Sequence, residues 1–140
     1  MERAAVQVYA EGQSAAAVVI TGSADASLTG LDGASISAAD ATGDITLTGL
    51  GAVAMSVTGG SGADVFDFAT GLASTDTVVG GAGLDTIILS TTTGAIIGTG
   101  ATANVANVSG VEILRLDTDL TGAITIDADR MAGLTTIDID

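Results

Sequence analysis

Apolar and polar residues alternate in short runs along this chain, and Gly, Asp, Ser or Thr closes each run. The runs are Ala26 to Leu28, Ala34 to Ala38, Ile45 to Thr48, Val53 to Thr58, Val65 to Phe68, Thr77 to Val79, Thr86 to Leu89, Glu112 to Leu116, Ile124 to Asp127 and Thr136 to Ile139. A period of two sends successive side chains to opposite faces, so these runs read as strands that bury one side only. In Val65-Phe66-Asp67-Phe68 the two Phe share one face, and Val65 and Asp67 share the other. Ile45 and Leu47 oppose Thr46 and Thr48 in the same way, and Met55, between Val53 and Val57, reads as core filler. Residues 98–109 form the longest gap between strands, read as an insertion loop or a degenerate rung.

Strand centres roughly 8–12 residues apart suit either a sandwich or a solenoid. Runs this short fall below usual sandwich strands, so the expected fold is all-β: a parallel β-solenoid, of β-roll or β-helix type, with 1–140 as a single domain. Composition sharpens this picture. Of the 140 residues 47% are apolar, yet there are only one Tyr, two Phe and no Trp, so the core must be narrow and built from Val, Ile, Leu and Ala. Twenty Gly argue against a helical bundle, where each Gly costs about 1 kcal/mol relative to Ala. The longest small-and-apolar stretch, Ala15 to Ile20, is far short of the roughly 20 residues that span a bilayer. The start, Met1-Glu2-Arg3, leads into no cleavable signal pattern, and membrane insertion is not expected.

The absence of His and Cys removes Ser-His-Asp and Cys-His catalysis, imidazole or thiolate zinc sites, disulfides and haem ligation. Paired Asp residues leave carboxylate hydrolysis formally open, but no aromatic platform for a sugar accompanies them, and the chain reads as non-enzymatic. Seventeen acidic residues against Arg3, Arg115 and Arg130, with no Lys, give a net charge of -14. Nucleic acid is therefore a poor partner. Such a balance either solubilises the surface or calls for hard counter-cations such as calcium. Asp117 with Asp119, and Asp127 with Asp129, read as solvated pairs. Outward hydroxyl pairs at 27/29, 46/48 and 56/58 are too irregularly spaced to suggest an ice-binding ladder.

Two segments carry a sharper signal. Gly59-Gly60-Ser61-Gly62-Ala63-Asp64-Val65-Phe66-Asp67 and Gly80-Gly81-Ala82-Gly83-Leu84-Asp85-Thr86-Ile87-Ile88 both follow G-G-x-G-x-D-x-U-x, where U is a large apolar residue. Six residues make a tight turn and three make a strand; glycines allow positive φ and bring carbonyls toward a common centre. This pattern resembles the calcium-binding nonapeptide of bacterial RTX proteins. Calcium takes about six to eight oxygens, which one turn cannot supply and two stacked turns can. Between the two lies a weaker match, Gly71 to Val79, that keeps the first Gly, Asp76 and the apolar eighth position. If successive turns alternate edges, turns 59–64 and 80–85 share one edge. Asp64 and Asp85 then bracket one calcium, as the resemblance implies, with carbonyls of Gly59, Gly60, Ser61, Gly62, Gly80, Gly81, Ala82 and Gly83. Asp76, on the other edge, is a further ligand only if another turn stacks beside it. A metal-free bend, with Asp64 and Asp85 as turn caps, is the alternative.

Farther on, Asn107-Val108-Ser109-Gly110-Val111-Glu112-Ile113-Leu114-Arg115-Leu116 and Thr121 to Asp127 look like the strand repeats of RTX-type bacterial surface-layer proteins. That resemblance implies type I secretion, folding on meeting calcium outside the cell, and a secreted structural protein at the cell surface. Such a protein assembles with itself into a surface layer (S-layer) or fibre, with cell-surface polysaccharide as a further partner. The alternative is a calcium-binding adhesin module or repeat region of a larger type I-secreted protein.

Overall fold

Alternation along each strand translates into a two-faced element, and two such faces closed on each other bury a narrow strip between them. In the computed structural model, which describes residues 5–9, 17–31, 35–51, 53–69, 71–90, 96–97, 105, 107–117 and 125–139, the chain forms a parallel β-solenoid of about five turns. In chain order the strands are β1 (Ala5–Tyr9), β2 (Ala17–Gly22), β3 (Ala26–Thr29), β4 (Ser35–Ala41), β5 (Ile45–Thr48), β6 (Ser56–Thr58) and β7 (Val65–Ala69). They continue with β8 (Thr77–Val79), β9 (Thr86–Leu89), β10 (Ile96–Ile97), β11 (Val108–Ser109), β12 (Ile113–Leu116), β13 (Thr125–Ile126) and β14 (Thr136–Ile139). A 3-10 turn, Ala128–Arg130, precedes β14.

From β2 to β9, consecutive strands lie in different sheets. One sheet has the order β1-β2-β4-β6-β8-β11, the other β14-β12-β9-β7-β5-β3, and β10 pairs with β13 in a separate ribbon. Among the described strands every pairing is parallel except β1 with β2, which is antiparallel. The chain therefore runs along one sheet, turns a corner, returns along the other, and arrives one rung farther on. Partners across successive rungs are 19 residues apart at Asp25–Asp44 and Ile45–Asp64, 21 at Asp64–Asp85, 27 at Asp85–Glu112 and 23 at Arg115–Asp138.

The core is two facing rows in register. The first sheet contributes Val18, Ile36, Val57, Val78 and Val108, all buried. The second contributes Leu28, Leu47, Phe66, Ile87, Leu114 and Ile137, of which the middle four are fully enclosed. Phe66 and Phe68 fill the middle of the strip, and Met55 is buried as expected. Val53 departs from expectation: the strand begins only at Ser56, and Val53 is exposed. At the last rung Ile137 and Ile139 occupy inward positions, yet remain 43% and 54% exposed, because no described strand lies beyond β14.

Candidate metal centre

Each rung turns from the first sheet to the second at one edge and back at the other. Residues 59–64 link β6 to β7 and residues 80–85 link β8 to β9, so both G-G-x-G-x-D turns lie on the same edge, one rung apart. They stack through peptide bonds: Gly59 N donates to Val79 O at 2.8 Å, Ala82 N to Gly60 O at 2.9 Å and Thr86 N to Asp64 O at 2.8 Å. The stacking is tight enough to require glycine. A Cβ on Gly80 would lie 1.7 Å from Gly110 O and 2.5 Å from Asp85 Oδ2, and one on Gly59 2.0 Å from Gly80 O.

Asp64 and Asp85 are fully buried at this edge. Asp64 Oδ1 accepts from Ile45 N of the preceding rung at 2.9 Å, and its Oδ2 accepts from Gly60 N of its own turn at 2.7 Å. Asp85 Oδ1 repeats the first bond, accepting from Asp64 N at 2.8 Å. The second bond is missing. Gly81, at the position matching Gly60, has φ +115°, and Asp85 Oδ2 is a buried oxygen with no hydrogen-bond partner. One rung farther, Glu112 Oε2 accepts from Asp85 N at 2.9 Å, so Ile45, Asp64, Asp85 and Glu112 form one column.

Burial pushes the Asp85 carboxyl up to about 6; the bond from Asp64 N opposes this, while the nearby charges of Asp64 and Glu112 add to it. Taking a carboxylate out of water disfavours its charged form, and like charges add to the penalty.

The remaining sequence candidates fall into place around this column. Ser61 and Ala82 are exposed on their turns, and Ser61 N donates to Ala41 O at 3.0 Å. Gly59, Gly60 and Gly80 are buried, with Gly62, Gly81 and Gly83 more open. Asp76 lies on the opposite edge and is not brought to the others. It is buried, and both its oxygens are occupied: Oδ1 by Met55 N at 2.8 Å and Oδ2 by Ala73 N at 2.7 Å. It therefore caps its turn. The turn stacked beside it brings Asn107, whose Nδ2 donates to Ser74 O, and no second carboxylate among the described residues. Asp127 pairs with Arg130 at 3.5 Å, Asp117 is exposed, and Asp119 lies outside the described residues. The hydroxyl pairs divide, 27/29 and 46/48 falling on one sheet and 56/58 on the other.

Sequence reasoning passed over three acidic residues of this edge: Asp25, Asp44 and Glu112. The available signal was an acid directly before every strand of the second sheet except β14, in Asp25-Ala26, Asp44-Ile45, Asp64-Val65, Asp85-Thr86 and Glu112-Ile113. Asp25 and Asp44 are exposed and accept from the following rung, at Asp44 N and Ala63 N.

The donor set suits a hard cation in two respects. Asp85 Oδ2 is an unmatched buried anionic oxygen, and Gly80 leaves a cradle between it and Gly110 O that any Cβ would fill. Among the described residues no group of three or more His, Cys, Asp or Glu converges, so an ion here draws largely on carbonyls. No described helix is long and apolar enough to cross a membrane. Comparison with protein-family models, with curated proteins and with solved structures found no match.

Proposed function

We propose that this chain is a calcium-stabilised structural protein of the bacterial cell exterior that assembles with itself into a surface layer or fibre. The observation that carries the reading is Asp85 Oδ2, a carboxylate oxygen sealed in a glycine-lined corner without a donor. A buried charge lacking a partner is strongly destabilising, and a divalent cation that accepts both carboxylate and carbonyl oxygens removes that penalty. Calcium supplies charge neutralisation here; the protein supplies the corner. Asp64 holds two peptide N–H groups and fixes the stacking of its turn, while Gly80 lets the next rung close against it. Support for assembly comes from the last rung, where the core-row residues Ile137 and Ile139 stay half-exposed because no described strand lies beyond β14.

Extracellular modules bind calcium at roughly 0.1–1 mM. In excess chelator the protein is expected to lose β-sheet circular dichroism and melt at a lower temperature, both recovering in millimolar calcium. Identical spectra and melting temperatures in the two conditions overturn the calcium reading. The same open last rung also favours a second reading, a calcium-binding adhesin module or repeat region of a larger type I-secreted protein, in which further chain covers β14. Sedimentation separates the two: a monomer at high concentration in millimolar calcium favours the module.

A further inference from the structure

We infer that the cation is held between the second and third turns of the edge, by Asp85 and Glu112, and not between the first and second, by Asp64 and Asp85. The inference rests on the calcium reading above and assigns its ligands. Asp64 is saturated: both its oxygens already accept peptide N–H groups, at 2.9 and 2.7 Å. Asp85 has one oxygen occupied and the other free, and the free one is the buried oxygen without a partner.

Across Gly80 from that free oxygen lies a carbonyl of the following rung. The position where a Gly80 Cβ would stand is 2.5 Å from Asp85 Oδ2 and 1.7 Å from Gly110 O, so a third-turn carbonyl lies against the same cradle as the free oxygen. Among the described residues no peptide donates to Gly110 O. Gly110 takes φ +60°, a left-handed conformation that suits glycine at this bend. Two residues on, Glu112 stands in register above Asp85 and binds its N–H through Oε2. Glutamate is one methylene longer than aspartate, so from the same register its carboxylate reaches farther toward the preceding rung. Its other oxygen, Oε1, receives no hydrogen bond among the described residues, and Gly133 of the last rung leaves room near it: a Cβ there would be 3.4 Å away. The column ends here, since Thr135 takes the next register position. Two carboxylates and a carbonyl from adjacent rungs thus offer hard oxygens at one corner, and the ion tethers the third turn, Ser109 to Glu112, to the second.

The test uses the whole protein with carboxyl-labelled Asp and Glu, titrated with calcium chloride. The carboxyl carbons of Asp85 and Glu112 are expected to shift with calcium and that of Asp64 to stay in place. By calorimetry, Asp85→Asn and Glu112→Gln should each lose roughly tenfold or more in calcium affinity, as expected when a charged ligand is removed, and Asp64→Asn less than about threefold. The labelled wild-type protein answers the question even if a variant fails to fold. A shift at Asp64 with a silent Glu112 overturns this assignment and leaves the calcium reading intact. No heat and no shift up to about 10 mM calcium, beyond the range of extracellular sites, overturns both.

Discussion

An aspartate walled into a sheet corner must find donors for two oxygens, and three such residues meet that demand differently. Asp64 and Asp76 each take one peptide N–H from the preceding rung and one from their own turn. Asp85 takes only the first. Its carboxyl titrates near 3.8 when unfolded and near 6 in the fold, so between these values the native state binds a proton that the unfolded chain releases. Without calcium, stability therefore falls as pH rises through this window, and the group's contribution, about 3 kcal/mol, is present in full only at the acid end. In chelator, acidification from pH 7 to 4 should stabilise the wild-type protein relative to Asp85→Asn; parallel melting profiles would show that Asp85 ionises as freely folded as unfolded. The glycine beside it gives a second prediction. Gly80→Ala places a Cβ 1.7 Å from a backbone oxygen and should cost about 3 kcal/mol or more, whereas Gly30→Ala meets nothing within 4 Å and pays only for its φ of +72°, about 1–2 kcal/mol. Urea unfolding in calcium measures both, and equal losses would mean the corner is loosely stacked. The shared edge of Asp64 and Asp85 was legible because two identical motifs stand 21 residues apart with one weaker turn between them. Glu112 was not, because its rung is 27 residues long and lacks the motif. The missing donor at Asp85 depends on the φ of Gly81, and a glycine in a sequence specifies no φ.

Strands of two to seven residues gain little from backbone propensity alone, and their stability comes from the row each adds to the core. Phe66 lies at the centre of its row, fully enclosed, so Phe66→Ala should cost about 3–5 kcal/mol. Ile139→Ala, on the open last rung, should cost under about 1 kcal/mol, since a half-exposed side chain surrenders little buried area. Equal effects in denaturant titration of the monomer would indicate that the last rung is covered in solution. Alternation located most strands to within a residue or two, as at β5, β8, β9 and β14. It stretched β6 back to Val53, where apolar residues at 53, 55 and 57 share a parity; the chain is still turning its corner at Val53, and only Met55 and Val57 point inward. It passed over β2, whose Ala17-Val18-Val19-Ile20 core reads as an unbroken apolar run, although Val18 and Ile20 are buried and Ala17 and Val19 exposed. Of the expected strand at Ile124 to Asp127, Thr125–Ile126 is strand and Asp127 is not, while Ile124 lies outside the described residues; the strand joins β10 instead of the main sheets. The gap at 98–109 proves to end in a true rung strand, β11, two residues long.

At the scale of the molecule, a charge of -14 opposes association everywhere except where apolar side chains or cations intervene. Among the described residues the two exposed ion pairs, Arg115–Asp138 and Arg130–Asp127, offset little of it, about 0–1 kcal/mol each. In millimolar calcium the wild-type protein should sediment as an assembly, and Ile137→Lys with Ile139→Lys should sediment as a monomer; assembly that survives both substitutions would place the contact elsewhere. The solenoid was legible from many short strands separated by glycine-rich turns, which fit a solenoid better than a sandwich, whose strands usually run longer. The reversal of β1 against β2 was not, because Ala5-Val6-Gln7-Val8-Tyr9 has the alternation of a strand in either direction. At the start of the stack the first sheet begins with the antiparallel strand β1, and its partner sheet presents β3 as its edge among the described strands. With β1 at one end of the stack and β14 at the other, the bonds between rungs run along the line joining the two ends. Force applied along that line strains one rung at a time, so the molecule should lengthen in discrete jumps, each releasing one coil at roughly 3.3–3.6 Å per residue. Because the later coils differ in length, at 21, 27 and 23 residues against 19 for each of the two before them, the size of a jump in a single-molecule trace tells the later rungs apart from one another and from the earlier pair.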